Sequence, residues 1–358
     1  MKVLLIFTGG TIGSTISNNY ISLDGTKSST LLKKYEEKYG IDFEFDTLTP
    51  YNELSENNTS KTLNLLTHSV KEAYNNQASG KSLVNNRGIP IFCSSSYDGI
   101  IITHGTDSLA YSAAALYYSM GTNLKYPVCF VSSDKPIEDE TANGLSNLHA
   151  AIGIIRESLK HKSDPTSHTA KSLNQVLVVY KNANSRTYIH AGNRLELTRL
   201  YNPDFYSTKD EVVGEVNNDD ILINSDFVTE DNAPANIDFV KQFSLIIPCV
   251  LSPGIDYRRL SAWLTSAGYL AQKAIVMRTY HSGTINTKDQ AARDFYLNMK
   301  NLGIKVYLAG GYCKEVLSYE STKDFEKLGI TPLCKLDLPG ALSYLARELT
   351  NNGDYYEY

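Results

Sequence analysis

The 358-residue chain has room for one large domain or two modest ones at roughly 150 residues each, and its 42% hydrophobic and 20% charged residues exclude intrinsic disorder as the main state. With 34 basic against 39 acidic residues the net charge is −5, and no Lys/Arg block exceeds a pair, so the basic footprint of a nucleic-acid binder is absent. The longest apolar runs are strand-sized, well below the roughly 20 residues of a membrane span.

Short β-rich apolar runs alternate with helical patterns from the start, which predicts βαβ units and mainly parallel sheets, an α/β fold. Residues 3–7 read as a strand running into a glycine turn, followed by a polar loop and a helix at about 29–39. Residues 43–47 are a second predicted strand. The helix expected at 59–77 sets Leu63, Leu66, Val70 and Ala73 on one face at three- and four-residue spacing. A third strand, 99–103, is apolar throughout, as a strand covered on both faces must be. A helix at 108–119, a strand at 128–132, a long helix at 141–159 and a strand at 175–180 follow. Between 207 and 236 the chain turns polar, with Asn217-Asn218-Asp219-Asp220 and Asp231-Asn232-Ala233-Pro234, and reads as a linker. The alternation then restarts: strand 243–251, helix 256–267, strand 273–278, helix 287–301, strand 304–308, and helices near 317–328 and 338–350. Two α/β domains are expected, the larger at 1–207 and the smaller at 237–358, with 208–236 between them.

Five cysteines (Cys93, Cys129, Cys249, Cys313, Cys334), odd in number and without a C-x-x-C pair, argue against a disulfide framework and against a zinc site. The opening apolar run is shorter than a signal-peptide core and precedes no cleavage site. A cytoplasmic location is therefore expected, and the sequon-like Asn57-Asn58-Thr59-Ser60 is discounted, since glycosylation requires secretion.

Ligands of open parallel sheets bind beyond the carboxyl ends of the strands. Two loops stand out there. The first is Thr8-Gly9-Gly10-Thr11-Ile12-Gly13, where paired glycines let the backbone turn and bring amide N–H groups to a ligand while Thr11 offers a hydroxyl. A plain tight βα turn is the alternative. The second is Ile102-Thr103-His104-Gly105-Thr106-Asp107-Ser108, where a carboxylate beside two hydroxyls can hold an ammonium group or orient a water. Here the alternative is a helix cap by Asp107 or Ser108. Gly80-Lys81-Ser82 lacks the first glycine of a phosphate loop, and the first turn lacks a full G-x-G-x-x-G. The seven histidines are scattered and read as surface or satisfied core residues rather than ligands, with His281, after a strand of the second domain, the one to watch.

TGGTIG near the amino terminus and HGTDS about 95 positions later make the chain similar to the bacterial-type L-asparaginase family, its cytoplasmic type I-like branch. The resemblance extends to Leu54-Ser55-Glu56, to Ala142-Asn143-Gly144-Leu145-Ser146-Asn147-Leu148, which resembles the SADGxxNL helix, and to Ser252-Pro253-Gly254-Ile255-Asp256, which resembles the YPGMD turn. It implies hydrolysis of L-asparagine to L-aspartate and ammonia through an acyl-enzyme. In that scheme Thr11 is the nucleophile, Tyr20 on the following polar loop its partner, and Thr106 the residue that positions or activates water. Ser55 and Asp107 hold the α-carboxylate and α-ammonium, with Gly10 and Glu56 lining the same pocket. A hydroxyl is a weak nucleophile at neutral pH and needs an adjacent base, and charge on the amide oxygen needs donors such as glycine-turn amides.

Two departures stand out. Where the family carries a lysine that hydrogen-bonds the second threonine, Gly192-Asn193-Arg194-Leu195-Glu196-Leu197 places Leu197, and no lysine lies between Lys181 and Lys209. Arg194 or Arg199 is the candidate replacement, though an arginine stays protonated and could stabilise charge without acting as a base. Glu56 adds a carboxylate to a pocket that must accept one, with Lys135 as a local compensation. These departures keep two alternatives open: a catalytically weak homologue that binds asparagine or aspartate as a sensor, and an amidase for another amide such as glutamine. The transamidation relatives carry an additional N-terminal domain, and a chain that opens on its first strand is less like them. The resemblance implies a homodimer or homotetramer, no metal or organic cofactor, no nucleic-acid partner and no membrane.

Overall fold

In the computed structural model, residues 1–10, 12, 27–75, 97–197, 200–266, 272–312 and 319–351 are described, together with the strand backbones at 14–17, 20–23, 82–84 and 90–92. The chain divides into two compact units, Met1–Asn236 and Ile237–Tyr358.

The first unit is built on β1 (Lys2–Phe7), β4 (Glu44–Leu48), β7 (Gly99–Thr103), β8 (Val128–Val131), β9 (Val176–Lys181), β10 (Thr187–Ala191), β11 (Gly214–Asn217) and β12 (Asp220–Ile223). They form one sheet in the order β12-β11-β10-β9-β8-β7-β1-β4. From β4 to β9 every pairing is parallel, whereas β10, β11 and β12 add on antiparallel. Two small hairpins accompany it: β2 (Ser14–Ser17) with β3 (Tyr20–Leu23), and β5 (Ser82–Val84) with β6 (Pro90–Phe92).

Alternation along the central strands explains the layers. Val3, Leu5, Phe7, Ile101, Cys129, Val131, Leu177 and Val179 point to one face. There they meet Leu31 and Tyr35 of α1 (Lys27–Tyr39) and Leu148, Ile152 and Ile155 of α4 (Gly144–Lys160). The intervening Leu4, Ile6, Ile100, Ile102 and Phe130 are buried as well. Among the other helices, α3 (Leu109–Met120) packs against β9 and against α2 (Ser60–Asn75). Helix α3 is buried around almost its whole circumference, which is why its sequence shows no polar face.

The polar stretch expected to be a linker at 208–236 belongs to the first unit. Glu215 and Val216 pair with β10, and β11 pairs with β12 across the tight turn at Asn218, whose φ is 55°. The strands read as linker because each is only four residues long and they are joined through the polar Asn217-Asn218-Asp219-Asp220. Helix α5 (His168–Leu173), capped by the Ser167 hydroxyl, leads into β9.

The second unit carries a four-stranded parallel sheet, β13 (Ile246–Val250), β14 (Ala274–Arg278), β15 (Lys305–Ala309) and β16 (Ile330–Leu333) in that order. The connections contain α7 (Tyr257–Leu264), α8 (Gln290–Asn301) and α9 (Phe325–Leu328), while α6 (Phe239–Ser244) precedes β13 and α10 (Leu338–Asn351) follows β16. The strand expected from 243 starts at Ile246, because Asp238 accepts hydrogen bonds from the Val240 and Lys241 amides and starts a helix that takes up Phe243 and Ser244. Asp256 of the PGID turn caps α7 in the same way.

Two asparagines, Asn143 just before α4 and Asn147 in its first turn, stitch the first sheet together. Asn147 accepts the Lys181 amide (2.7 Å) and donates to the Ser132 carbonyl (2.9 Å), while the Ser132 hydroxyl donates to the His104 carbonyl (2.7 Å). Asn143 donates to the Lys181 carbonyl (2.8 Å) and accepts the Asp134 amide (3.0 Å). The ends of β7, β8 and β9 are thereby held in register. Asn147 is fully buried, so Asn147→Leu leaves two backbone groups unpaired, each worth about 1–3 kcal/mol. The expected result is a lowered urea midpoint with an unchanged m-value, and a midpoint equal to the parent's would refute the stitch.

Candidate functional site

The site is assembled from three loops at the carboxyl ends of β1, β4 and β7. The Thr8 hydroxyl donates to the Thr103 carbonyl (2.7 Å), tying the end of β1 to the end of β7. Gly9 bridges Glu53 in parallel, with Glu53 N donating to Thr8 O (3.0 Å) and Gly10 N to Glu53 O (3.0 Å). Both glycines lie in the left-handed region, at φ of 100° and 77°. A methyl on Gly9 would strike the Glu53 carbonyl, and one on Gly10 would strike the Gly105 amide nitrogen and Cα. One on Gly105 would meet Ser55 Oγ, with Gly10 Cα at 3.0 Å. Three glycines therefore let three backbones come closer than side chains would allow.

Residue 11 lies outside the described residues, as does Arg199. On either side of residue 11 the chain is anchored, by Gly10 against Gly105 and by Ile12, which is buried and near Gly144. Tyr20 opens β3, its backbone paired with Ser17, so the stretch read as a polar loop contains a hairpin. Thr106 is half-buried in the bend before α3, and Asp107 beside it is exposed.

Ser55 and Asp107 are joined. The Ser55 hydroxyl donates to Asp107 Oδ2 (3.0 Å) and accepts the Asp107 amide (3.1 Å). The cap alternative for this loop does not hold, because Ser108, the residue before α3, makes no side-chain cap. Its hydroxyl is turned to the Ser55 carbonyl instead (2.8 Å). Glu56 is exposed on the single 3₁₀ turn Ser55–Asn57. Lys135 does not compensate it: its ammonium is on Thr141 Oγ1 (2.6 Å) and Asp139 (3.7 Å).

Arg194 is 3% exposed and its guanidinium binds Glu230 (2.7 Å) and Glu211 (3.8 Å). A cation committed to two carboxylates ties the 208–230 segment to the end of β10. Leu197 is half-buried, two residues past the Leu195 to Ser207 bridge. His281 is exposed in the second unit, inside the turn closed by Tyr280 N on Thr284 O (3.0 Å).

Sequence reasoning missed Asn58. Its amide donates to Ser108 Oγ (2.9 Å) and faces His104 Nε2 (3.4 Å). His104 is fully buried, and burial pushes its pKa down to about 4. Because Nδ1 sits 2.8 Å from the Gly105 carbonyl, which only accepts, Nδ1 carries the proton and Nε2 is the acceptor. His190 on β10 is likewise buried, its pKa pushed to about 3, with Nδ1 at 2.8 Å from Ser207 Oγ.

Both histidines fold neutral with depressed pKa values, so the unfolded chain, titrating near 6.5, binds more protons between there and the folded values. Their contribution to stability is full above pH 6.5 and is lost as the pH falls towards about 4 for His104 and about 3 for His190. Urea midpoints should drop steeply between pH 6 and 4.5, and His190→Gln should flatten that slope; a flat parent profile would contradict the buried neutral state.

Two polar depressions of about 660 and 300 Å³ share Ser146, Lys181 and Ser185, near the end of β9 and the start of α4. Neither is lined by Gly10, Ser55, Thr106 or Asp107.

Fold and site together define an α/β protein whose polar loops meet beyond the carboxyl edge of a mainly parallel sheet, with glycines at their crossing. The chain belongs to the asparaginase family: the family model "Asparaginase, N-terminal" matches residues 2–83 and 89–229. It is similar to one of the chains of the glutamyl-tRNA(Gln) amidotransferase of Methanosarcina acetivorans, at 31% identity over 162 residues, 44% of this chain and 33% of that one. It is also similar to L-asparaginase 1 of Escherichia coli K12, at 28% identity over 156 residues, 43% of this chain and 40% of that one. The match thus spans about a third to two fifths of these relatives' length. Among solved structures, the thermostable L-asparaginase from Thermococcus kodakarensis superposes with a TM-score of 0.70 at 20% identity, over 99% of this chain and 94% of that one, which shows a shared fold. Among the described residues, no helix is long and apolar enough to cross a membrane.

Proposed function

We propose that this protein is an L-asparagine amidohydrolase. The Thr11 oxygen attacks the side-chain amide carbon, its proton passes through Tyr20 to the leaving nitrogen, and ammonia departs from an aspartyl ester. Water positioned by Thr106 then cleaves the ester, releasing L-aspartate and restoring the Thr11 hydroxyl. Ser55 and Asp107 grip the α-carboxylate and α-ammonium, with Gly10 and Glu56 at the same pocket. The observation that carries this reading is the glycine crossing: Gly10, one residue before Thr11, lies against Gly105, one residue before Thr106. An active cytoplasmic homodimer or homotetramer is part of the proposal.

A second reading, binding without turnover, is favoured by Leu197 at the family's lysine position and by the commitment of Arg194 to Glu211 and Glu230. The match to an amidotransferase chain favours glutamine as the competing amide. Ammonia release from L-asparagine and L-glutamine in parallel, with calorimetry on the same ligands, separates these outcomes. Release from asparagine supports hydrolysis. Saturable binding without release supports a sensor, and neither binding nor release refutes both.

A further inference from the structure

Ser55 and Asp107 must be set at a fixed separation to grip the two charged groups of one amino acid, yet Ser55 rides on one short turn, closed by Asn57 N on Leu54 O (2.9 Å) and Asn58 N on Ser55 O (3.2 Å). It is a single 3₁₀ turn whose preceding residue, Leu54, makes no side-chain cap, and 3₁₀ geometry is weak in isolation. Further support runs from the turn's C-cap residue, Asn58, through Ser108. Hydrogen bonds run in one direction, from the Asn58 amide to Ser108 Oγ (2.9 Å) and from the Ser108 hydroxyl to the Ser55 carbonyl (2.8 Å). The remaining Asn58 donor faces the lone pair of His104 Nε2, whose tautomer is fixed by Gly105. The Asn58 side-chain oxygen Oδ1 is shut away from water with no partner, a cost to stability that a nonpolar side chain would avoid.

We propose that Asn58 is a positioning residue: acting through Ser108, it holds Ser55 against Asp107 and so sets how tightly the amino-acid end of the substrate is held, not how fast the amide is cleaved. This rests on the proposed function in taking Ser55 and Asp107 as the grip. Asn58→Leu removes the donors and the orphaned acceptor at similar volume, and Ser108→Ala breaks the same chain one step later.

The expected result is a rise of about tenfold in KM for L-asparagine and in the Kd for L-aspartate, with kcat within about twofold, as for one lost charge-positioning contact. The double variant should be no worse than either single one, because both cut one path, and Ser108→Thr should restore affinity. A fall in kcat at constant KM, or additive losses in the double variant, would overturn the proposal. If the parent neither binds nor turns over these ligands, the functional reading fails by itself. A crystal structure of Asn58→Leu then still decides the brace: Ser55 Oγ displaced from Asp107 supports it, and an unmoved 3.0 Å contact overturns it.

Discussion

Thr11→Val and Thr106→Val are each expected to slow ammonia release from L-asparagine by at least about 10³-fold, the scale on which single members of a nucleophilic constellation act. Valine keeps the β-branched shape and removes only the hydroxyl, so the loss reports chemistry. For Thr106 the reasoning from the fold is direct: the residue is half-buried in a bend between β7 and α3, both of which are buried against the sheet and its helices. Circular dichroism and the unfolding midpoint of that variant should match the parent. For Thr11 the argument is one of chain position, between Gly10 and the buried Ile12. Appreciable release by either variant would remove that threonine from its proposed role. Thr11-dependent release by the parent would further show that a leucine at position 197 is compatible with turnover.

The second large effect is expected from Gly10→Ala. A left-handed φ of 77° costs a side-chain-bearing residue about 1–2 kcal/mol, and forcing a methyl into a packed site adds about 1–3 more. The obstacle here is the backbone of Gly105, with the His104 carbonyl carbon at 2.9 Å, and backbone cannot rotate aside as a side chain would. Gly40→Ala is the matched control, since Gly40 has a φ of 74° with nothing within 4 Å of the added methyl. Gly10→Ala should therefore lose more unfolding temperature than Gly40→Ala, at about 2–4 °C per kcal/mol for a unit of this size. It should also abolish ammonia release, by driving apart the loops that carry residues 11 and 106. Equal shifts in the two variants would mean that the crossing is loose.

The unequal legibility of the chain has physical causes. Strands β1, β7, β8 and β9 were readable because a parallel strand buried on both faces is an unbroken apolar run, as in Gly99–Thr103. Helix α2 was readable from its 3.6-residue stripe, with Leu63, Leu66, Val70 and Ala73 buried. Strands β11 and β12 were not, because each is only four residues long and polarity in Asn217–Asp220 signals a turn inside a sheet as readily as a linker. The Ser108 hydroxyl reads locally as a helix cap, and only the arrival of the Ser55 loop turns it elsewhere.

By itself the sequence determined the α/β class, the two loops after β1 and β7 and the family resemblance, since each depends on residues adjacent in the chain. The tertiary structure decided what those loops touch. Ser55 meets Asp107 across 52 positions, Asn58 meets Ser108 across 50, and Arg194 is claimed by Glu230. Such contacts depend on how the sheet brings distant strand ends together, and on glycine backbones that have no side chain to keep them apart. Periodicity along one strand or helix carries no information about either.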